Sequence, residues 1–411
     1  MVIVGAGMAG LACARTLQTA GIDALLVERS DGVGGRVRTD VVDGHRLDRG
    51  FQILLTAYPE LSRWFDLASL DLRKFSPGSR VWTGKRFHTV GDPLRRPIDL
   101  FATVTAPIGS IADKLRLLRL LASVRSGPAN ALLHRGDHTT LERLESAGFS
   151  TRFIETFMRP LFAGIQLDPE LEVSSRRFEI ILRMLAIGSS VVPAAGMGAL
   201  SEELARPLTP GSLRLQTSVV EVARNRVTLA DGGSIKARHI VIATEGPAAA
   251  KLLPALGDPG SRPVAALWFS MPQTPIRGRH ILLDGAASGP ARNVAVLSEV
   301  APTYAPHNRS LLVAAIPGPD AFNADLESKV RTQMQGWFGA EVNDWQTLRT
   351  DVIAHGQPSQ TPPFDPRRSV RIDEGLWVCG DHRDTASIQG ALFSGRRTAE
   401  AIIASTGADA S

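Results

Sequence analysis

The sequence is poor in cysteine and aromatic residues, and it contains no long apolar run. Its two cysteines, Cys13 and Cys379, are too few in 411 residues for a disulfide framework or a metal site, so we expect a reducing compartment. The longest uncharged stretch, 184–201, includes Pro193 and several glycines, which predicts strand and loop. A spanning helix needs about 20 mainly apolar residues, which no segment provides. No metal-ligand set or nucleophile triad is evident, and we predict no metal.

The charged residues exclude some partners and favour others. The net charge is +5, the arginines are scattered along the chain, and only 6% of residues are aromatic. Because no basic run with interleaved aromatics occurs, we expect no nucleic-acid binding. The positive charge favours an anionic cofactor, with an acidic membrane surface as a second partner. No secretory leader precedes the first predicted strand, which predicts a cytoplasmic protein, with peripheral membrane contact left open.

The N-terminal segment carries a phosphate-binding pattern between two predicted strands. Residues 2–4 predict a strand, 11–20 a helix, and 22–27 a second strand that ends in Glu28. Glycines in this pattern permit a tight turn, close approach of the backbone to a pyrophosphate, and packing of the helix on the sheet. Glu28, 23 positions after the first glycine, is placed to accept hydrogen bonds from ribose hydroxyls. The pattern consists of Gly5, Ala6, Gly7, Met8, Ala9 and Gly10.

A second glycine cluster after Glu28 separates the two common dinucleotides. A nicotinamide-binding domain would continue with another helix and strand, whereas this chain leads into Gly34-Gly35-Arg36. The glycines let the backbone pass close to a cofactor, and Arg36 can hydrogen-bond phosphate or ribityl oxygens. The segment resembles the G-G-R motif of the flavin-containing amine oxidase and carotenoid desaturase superfamily, where it follows the FAD-binding βαβ unit. To the same predicted site we assign Arg29, Gly34, Gly35, Arg36, Gly50, Phe51 and Gln52.

Two middle segments resemble the same superfamily. Residues 193–200 are similar to its P-x-G-G-M-x-x-L segment, with Ala195 at the first glycine position. Residues 217–244 predict a β-meander, because short alternating strands are separated by polar turns. In the family, the valine that matches Val219 contacts adenine through its backbone, so the resemblance implies the same contact here.

The C-terminal segment resembles the G-D and E-G-A-x-x-S-G motif of the superfamily. A predicted strand at 375–379 leads to Gly380-Asp381, and residues 387–391 open a helix, with Gln389 in place of the glutamate. Asp381 would accept hydrogen bonds from ribityl hydroxyls, and the helix N-terminus would face the isoalloxazine and its developing negative charge. The cofactor-binding residues assigned in this segment are Gly380, Asp381, Ile388 and Gly390.

The motifs predict FAD as the cofactor and an α/β fold (α+β overall). We expect a Rossmann-like FAD-binding domain of the glutathione-reductase type with a β-meander, formed by 1–75, 188–250 and 351–411. A discontinuous substrate domain of antiparallel sheet and helices, 76–187 and 251–350, would complete the chain. Its predicted helices and strands are, in order, helices 111–125, 141–147 and 150–162, strands 263–269, 294–297 and 311–315, and a helix at 320–338.

The stretch 50–59 indicates a branch of the superfamily. It is similar to the G-L-H-x-F-F-G-A-Y-P segment of plant and cyanobacterial phytoene desaturases, although Gln52 replaces their histidine. Residues 386–390 resemble their A-S-M-E-G. Amine oxidases usually carry an aromatic residue at the position of Ser387, so a classical amine substrate is disfavoured. Residues 159–165 also resemble a segment of protoporphyrinogen oxidase and do not separate the two branches.

The resemblance implies an FAD-dependent oxidoreductase that dehydrogenates a hydrophobic, isoprenoid-like substrate by hydride transfer to flavin N5. An amine or protoporphyrinogen-type oxidase and a non-redox flavin-dependent isomerase are the alternatives. The partners are then a hydrophobic small molecule and an electron acceptor that no motif indicates. We expect His382 and Arg383 to approach the flavin and His355 to lie in a segment near the active site. For each histidine an ordinary polar contact is favoured over work as a general base, and no residue receives a catalytic assignment. The basic, leucine-rich helix at 111–125 either dips into a membrane or packs on its own domain.

Overall fold

A computed structural model describes residues 1–91 and 100–408, so small parts of two predicted domain segments, 92–99 and 409–411, lie outside the described residues. The helices are α1 (Met8–Thr19), α2 (Leu61–Trp64), α3 (Leu100–Thr105), α4 (Ile111–Arg125), α5 (Thr140–Ser146), α6 (Thr151–Phe153), α7 (Arg159–Gln166), α8 (Ser175–Ile187), α9 (Gly198–Ala205), α10 (Gly246–Leu252), α11 (Leu297–Val300), α12 (Leu326–Phe338) and α13 (Ile388–Ala408).

The strands differ in length, and the longest ones belong to the second half of the chain. They are β1 (Val2–Val4), β2 (Leu25–Val27), β3 (Thr39–Val42), β4 (His45–Asp48), β5 (Leu54–Leu55), β6 (Leu72–Lys74), β7 (Gly78–Trp82), β8 (Phe87–Gly91), β9 (Ser190–Pro193), β10 (Leu213–Arg214), β11 (Val219–Ala223), β12 (Arg226–Leu229), β13 (Ser234–Lys236), β14 (Ile240–Ile242), β15 (Ser261–Met271), β16 (Ile281–Asp284), β17 (Asn293–Val296), β18 (Ser310–Pro317), β19 (Gln346–Pro358), β20 (Arg371–Asp373) and β21 (Leu376–Val378).

The first sheet has the strand order β10-β2-β1-β14-β21-β20 and is parallel except for β20. Its central strands are buried along their length, as expected for a parallel sheet covered on both faces. Helix α1 follows β1 and packs against α13. The two helices cross closely because Gly395 has no side chain; a Cβ there would lie 2.1 Å from the Ala9 oxygen. This sheet confirms the predicted Rossmann-like architecture.

The predicted β-meander is confirmed, with β12 pairing antiparallel to both β11 and β13. Two smaller sheets, β3-β4 and β5-β9-β6, follow the second glycine cluster. The first helix begins three residues earlier than predicted, because Gly7 is already its N-cap. Strand β2 begins later than predicted, at Leu25, because the Ile22 amide still closes the end of α1 by donating to the Leu17 oxygen.

The largest sheet has the order β19-β15-β18-β17-β16-β7-β8 and is antiparallel except for the pair β16-β7. Both predicted insertions contribute strands to it. Helix α12 covers one face through Val330, Met334 and Trp337. The predicted helix at 320–338 is wrong at its start: Pro319–Phe322 is a 3-10 turn, and α12 begins at Leu326.

The helices α4 to α8 form a second core on the other side of this sheet, around Phe153, Phe162 and Phe178. The predicted helix at 150–162 is longer than expected, since α6, a π-helical turn at Ile154–Met158 and α7 follow one another directly. The stretch 184–201 also differs from the prediction, because it includes the end of α8 and the start of α9 around β9.

The predicted division into two domains stays a prediction. Some of its boundaries lie between secondary structure elements, and others lie inside one. The boundary at 187/188 coincides with the end of α8, and that at 75/76 separates β6 from β7. The boundary at 350/351 falls inside β19, a single strand of 13 residues. The large sheet therefore extends beyond the predicted limit, and its last strand carries chain from one predicted domain into the other.

Candidate cofactor and substrate site

One cavity of about 1220 Å³ lies between the Rossmann-like sheet and the large sheet. It exceeds the roughly 300–1,000 Å³ that is usual for a single small ligand. One end lies at the carboxyl ends of β1 and β2, and the other is enclosed by α7, α8 and the strands β15 to β19. Of the predicted site residues, those that line it are Gly5, Gly7, Met8, Ala9, Glu28, Arg29, Gly34, Gly35, Arg36, Gly50, Phe51, Gln52, Val219, Gly380, Asp381 and Ile388.

Three predicted site residues lie directly behind the wall instead. Ala6 is fully buried, and a Cβ at Gly10 would lie 2.0 Å from the Gly5 oxygen. Gly390 is as crowded, since its Cβ would lie 1.9 Å from the Thr385 oxygen. These residues shape the turns around the cavity without forming its surface.

The glycine turn presents backbone amides to the cavity. Gly5 has a φ of +106°, which favours glycine, and it turns the chain out of β1. Gly7 begins α1 without a capping side chain, so the first amides of this 12-residue helix have no side-chain acceptor. A Cβ at Gly7 would meet nothing within 4 Å. An anionic group therefore has both room and donors at this turn.

Glu28 is fixed at the end of β2 with its carboxylate at the cavity wall. The Glu28 Oε2 atom accepts a hydrogen bond from the Ala6 amide at 2.8 Å. The Oε1 atom accepts from the amide of Ser30 at 2.9 Å and from its hydroxyl at 2.8 Å. Only 8% of the residue is exposed. The sequence analysis did not foresee Ser30, although its position two residues after an acidic strand end is typical of such a local turn.

Arg36 connects the second glycine cluster with the C-terminal motif. Its Nη2 donates to Asp381 Oδ1 at 2.8 Å and its Nη1 donates to the Gly356 oxygen at 2.7 Å. Burial disfavours the charged guanidinium, but the Asp381 carboxylate outweighs this and raises the pKa of Arg36. The G-G-R motif, the G-D motif and β19 thus meet at one point of the cavity.

Gln52 is part of the wall, and its amide is already engaged. Its Nε2 donates to the carbonyl oxygens of Arg36 at 2.7 Å and Arg49 at 2.9 Å. These bonds hold the segment from Gly50 to Gln52 against the second glycine cluster. Gln52 therefore shapes the cavity through the backbone that it fixes.

The start of α13 forms the wall near Ile388. The Ser387 hydroxyl accepts from the Gly390 amide at 3.0 Å, so it caps the helix. Gln389 Oε1 accepts from the Glu60 amide at 2.8 Å, which directs this side chain to the start of α2. A glutamate, as in the superfamily motif, could accept the same bond.

The residues expected near the flavin, His355, His382 and Arg383, do not line the cavity themselves, although their neighbours Gly356 and Asp381 do. His355 Nδ1 is 2.8 Å from the Ser261 hydroxyl. His382 is buried behind Gly380, and burial lowers its pKa to about 4. Arg383 donates to the Ser369 oxygen. Sequence proximity to a motif did not determine which side chains reach the cavity.

The inner half of the cavity is mainly aliphatic. Its apolar wall consists of Leu161, Ile165, Leu167, Ile180, Ile181, Met184, Leu185, Val264, Ile281, Ala315 and Ile353. Tyr58, Arg177, Asn293 and Gln357 are polar exceptions in the same wall. The sequence analysis missed Arg177, although it precedes Ile181 and Met184 by four and seven residues. A signal was present, since this spacing places an arginine on an apolar helix face.

The exposed side of α4 is also apolar. Ile111, Leu115 and Leu118 are 68%, 61% and 43% exposed, whereas Leu120 and Val124 are buried in the helical core. Residues Ala129, Asn130 and Leu133, which follow α4, line the cavity. No helix among the described residues is long and apolar enough to cross a membrane.

The sheet order, the glycine turn and the acidic end of β2 define a Rossmann-type dinucleotide-binding protein. The family model for flavin containing amine oxidoreductases matches residues 8–403, so the chain belongs to that family. It is an FAD-dependent oxidoreductase, as the resemblance implied.

Individual relatives agree with this family. The chain is 24% identical to a 15-cis-phytoene desaturase of Synechococcus elongatus over 462 residues, which cover 98% of this chain and 95% of that protein. It is 39% identical to a putrescine oxidase of Kocuria rosea over 83 residues, 20% of this chain and 17% of that protein.

Solved structures show the same fold at low sequence identity. An oxidoreductase from Methanosarcina mazei has a TM-score of 0.77 and 17% identity, covering 97% of this chain and 99% of that one. A putative protoporphyrinogen oxidase from Exiguobacterium sp. 255-15 has a TM-score of 0.74 and 19% identity, covering 98% of both chains.

Proposed function

We propose that FAD lies along the outer half of the cavity. Its pyrophosphate would lie at the glycine turn beside Gly7, its adenosine ribose at Glu28 and its adenine beside Val219. Arg36 and Asp381 would hold the phosphate and ribityl oxygens. The residues are suited to the pyrophosphate of FAD, because α1 offers amides without a capping side chain and the space at Gly7 is free. The volume leaves room for a second molecule at the inner end.

We propose that this second molecule is a hydrophobic, isoprenoid-like substrate, which the enzyme dehydrogenates. The single observation that carries the proposal is the continuity of the cofactor end of the cavity with a wall of aliphatic side chains. FAD supplies a two-electron acceptor for hydride when bound. The chain itself has to position the substrate carbon and exclude water, which the enclosing residues of α7, α8 and β15 favour.

Anaerobic titration of the FAD-loaded protein tests this proposal. An isoprenoid compound, supplied both as the hydrocarbon 15-cis-phytoene and as geranylgeranoic acid, should bleach the visible flavin spectrum in at least one of the two forms and yield a product lighter by two hydrogens. Putrescine should leave the spectrum unchanged, because the wall has a capping serine, Ser387, where a classical amine oxidase would have an aromatic residue. Bleaching by putrescine or by protoporphyrinogen, with both isoprenoid compounds inert, would favour the oxidase alternative. A product of unchanged mass, formed only with reduced flavin, would favour the isomerase.

We propose further that the exposed apolar face of α4 contacts a membrane surface from which such a substrate is collected. The face consists of Ile111, Leu115 and Leu118, and residues just after α4 reach the cavity. Arg119 and Arg125, both exposed on the same helix, could contact anionic headgroups.

Vesicle sedimentation measures this contact. Leu115→Glu should lower binding to vesicles of mixed neutral and anionic lipid several-fold, because a charge would enter the apolar face. Val352→Glu is the matched control, since Val352 is 52% exposed on β19, away from α4. Equal binding of the wild type and the Leu115 variant would reject the membrane contact and leave the cofactor assignment untouched.

A further inference from the structure

Arg177 is a buried cation in the apolar part of the cavity wall. It lies in the first turn of α8, on the face shared with Ile181 and Met184, and only 2% of the residue is exposed. A charged side chain in such surroundings is costly unless an opposite charge accompanies it. Burial lowers the pKa of Arg177 to about 10, so it remains a cation at neutral pH.

The protein orients this guanidinium without a direct ion pair, although the more distant carboxylates of Asp381 and Asp168 attract it. Its Nη2 donates to Gln357 Oε1 and, at 2.9 Å, to the Ala386 oxygen. Gln357 is fixed in turn, because its Nε2 donates to the Ile165 oxygen at 2.9 Å. The Nη1 atom has no hydrogen-bond partner, and no carboxylate among the described residues lies within ion-pair distance of Arg177. The Nη1 edge of this rigidly held guanidinium therefore has no hydrogen-bond partner among the described residues.

Tyr58 provides a second donor in the same wall. It lines the cavity, and the structure gives its hydroxyl no hydrogen-bond partner among the described residues. Burial raises the pKa of Tyr58 to about 12, against the smaller effect of the Arg177 charge, so it remains a neutral phenol that can donate. A guanidinium edge and a phenol are suited to an oxyanion and offer little to a pure hydrocarbon.

We propose, on the basis of the proposed function, that Arg177 and Tyr58 bind a carboxylate carried by an otherwise apolar substrate. The carboxylate would supply the charge that Arg177 lacks, while the aliphatic wall would hold the rest of the molecule. A neutral analogue of the same shape would leave the buried guanidinium unpaired. Sites of this kind reject such an analogue strongly, because a buried polar group then has no partner.

A matched pair of ligands tests the proposal on the FAD-loaded protein. The probes are geranylgeranoic acid and geranylgeraniol, which share one isoprenoid chain, and binding is followed by the change in flavin fluorescence at neutral pH. We expect the acid to bind at least about 10-fold more tightly than the alcohol, as for a buried charged hydrogen bond. Equal affinity for the two, including no measurable binding of either, would overturn the proposal. A protein that takes up no FAD would instead refute the proposed function before any ligand is added.

Variants assign the preference to Arg177. Arg177→Met should abolish the preference for the acid with little change in affinity for the alcohol, and Arg177→Lys should restore part of it. Arg183→Met is the control on the same helix, because Arg183 donates to the Val124 oxygen and does not line the cavity. If Arg177→Met weakens FAD retention but keeps the preference for the acid, the guanidinium serves the cofactor and the proposal is wrong.

Discussion

At the scale of single residues, Glu28 combines a structural task with the proposed ribose contact. Its two oxygens accept hydrogen bonds from the Ala6 amide and from Ser30, which fixes the carboxylate at the end of β2. An ionised carboxylate has about four acceptor positions, so hydroxyl groups can still be accepted. The turn that follows β1 and the proposed cofactor contact therefore depend on the same side chain.

We predict that Glu28→Ala lowers FAD retention about 10-fold or more, as expected when hydrogen bonds to a charged group are lost. The measurement is flavin absorbance per mole of protein after dialysis. Glu221→Ala is the control, because Glu221 is an exposed carboxylate on β11. Normal flavin occupancy in the Glu28 variant would reject the ribose assignment.

A second prediction concerns the contact between Gly164 and Asn293, which both line the cavity. A Cβ at Gly164 would lie 1.6 Å from Asn293 Oδ1, so Gly164→Ala should destabilise the protein by about 1–3 kcal/mol through overpacking. Gly336→Ala is the matched helical control, since nothing lies within 4 Å of its Cβ. Helix propensity predicts that this change stabilises by up to about 1 kcal/mol. Denaturant unfolding measures both, and equal stability of the two variants would contradict the packing.

At the scale of secondary structure elements, Asp113 joins the start of α4 to the start of α6. It completes a capping box with Ser110 and also accepts hydrogen bonds from the amide and hydroxyl of Ser150. Burial raises the pKa of Asp113, but these hydrogen bonds outweigh it and lower the pKa to about 2. One carboxylate thus holds the N-termini of α4 and α6 together within the helical core.

We predict that Asp113→Ala destabilises the protein by about 3 kcal/mol, because buried donors on two helices lose their acceptor. The folded-state pKa is depressed, so the stabilisation is present above the unfolded pKa and is lost as pH falls from about 4 to about 2. Glu142→Ala, in the exposed capping box of α5, should destabilise the protein much less, because water can replace the lost hydrogen bond. Urea unfolding measures the loss of stability in both variants. An equal loss would show that the hydrogen bonds between Asp113 and Ser150 do not stabilise the protein.

At the scale of the whole molecule, Asp48 connects parts that are far apart in sequence. Its Oδ1 accepts from the Thr39 hydroxyl and the Met197 amide, and its Oδ2 accepts from the Tyr304 hydroxyl at 2.9 Å. Strand β4, the segment before α9 and the chain before β18 therefore meet at one buried carboxyl. Burial raises the pKa of Asp48 to about 6 despite these hydrogen bonds.

We predict that this group makes the protein less stable as pH rises from about 4 to about 6. The folded-state pKa is raised, so the folded protein binds the proton more tightly, and that stabilisation is lost above the folded-state pKa. Asp48→Asn should remove this dependence and stabilise the protein near neutral pH, because no charge is then buried. The amide oxygen can accept from Thr39 and Met197, and the amide NH2 can donate to the Tyr304 oxygen.

Unfolding free energies at about pH 5 and about pH 8 measure the effect, which we expect to be on the order of 2 kcal/mol. Asp48→Leu serves as the contrast, since it should destabilise at both values of pH by leaving the three donors unsatisfied. The same pH dependence in the wild type and the asparagine variant would show that another group titrates.

The sequence predicted most of the cavity wall around the glycine turn, because that part is formed by short contiguous motifs. A glycine turn between a strand and a helix fixes its own geometry, and β1, α1 and β2 were predicted in the right order, although α1 begins earlier and β2 begins later than predicted. The second glycine cluster and Gly380-Asp381 were likewise found on the cavity wall. The exact ends and local geometry of the helices were predicted less accurately. The start of α12 and the π-helical turn at Ile154–Met158 depend on neighbours outside the segment.

The amino-acid sequence by itself determined the Rossmann-like half and the family, since both rest on local turns, helix starts and short motifs. Only the tertiary structure decided which side chains line the aliphatic inner half of the cavity. It brought Arg177 of α8 beside Gln357 of β19 and Ala386 before α13, and it left His355 and His382 out of the cavity lining. The physical reason is that such contacts join residues up to 209 positions apart, and their geometry follows from packing of the whole chain.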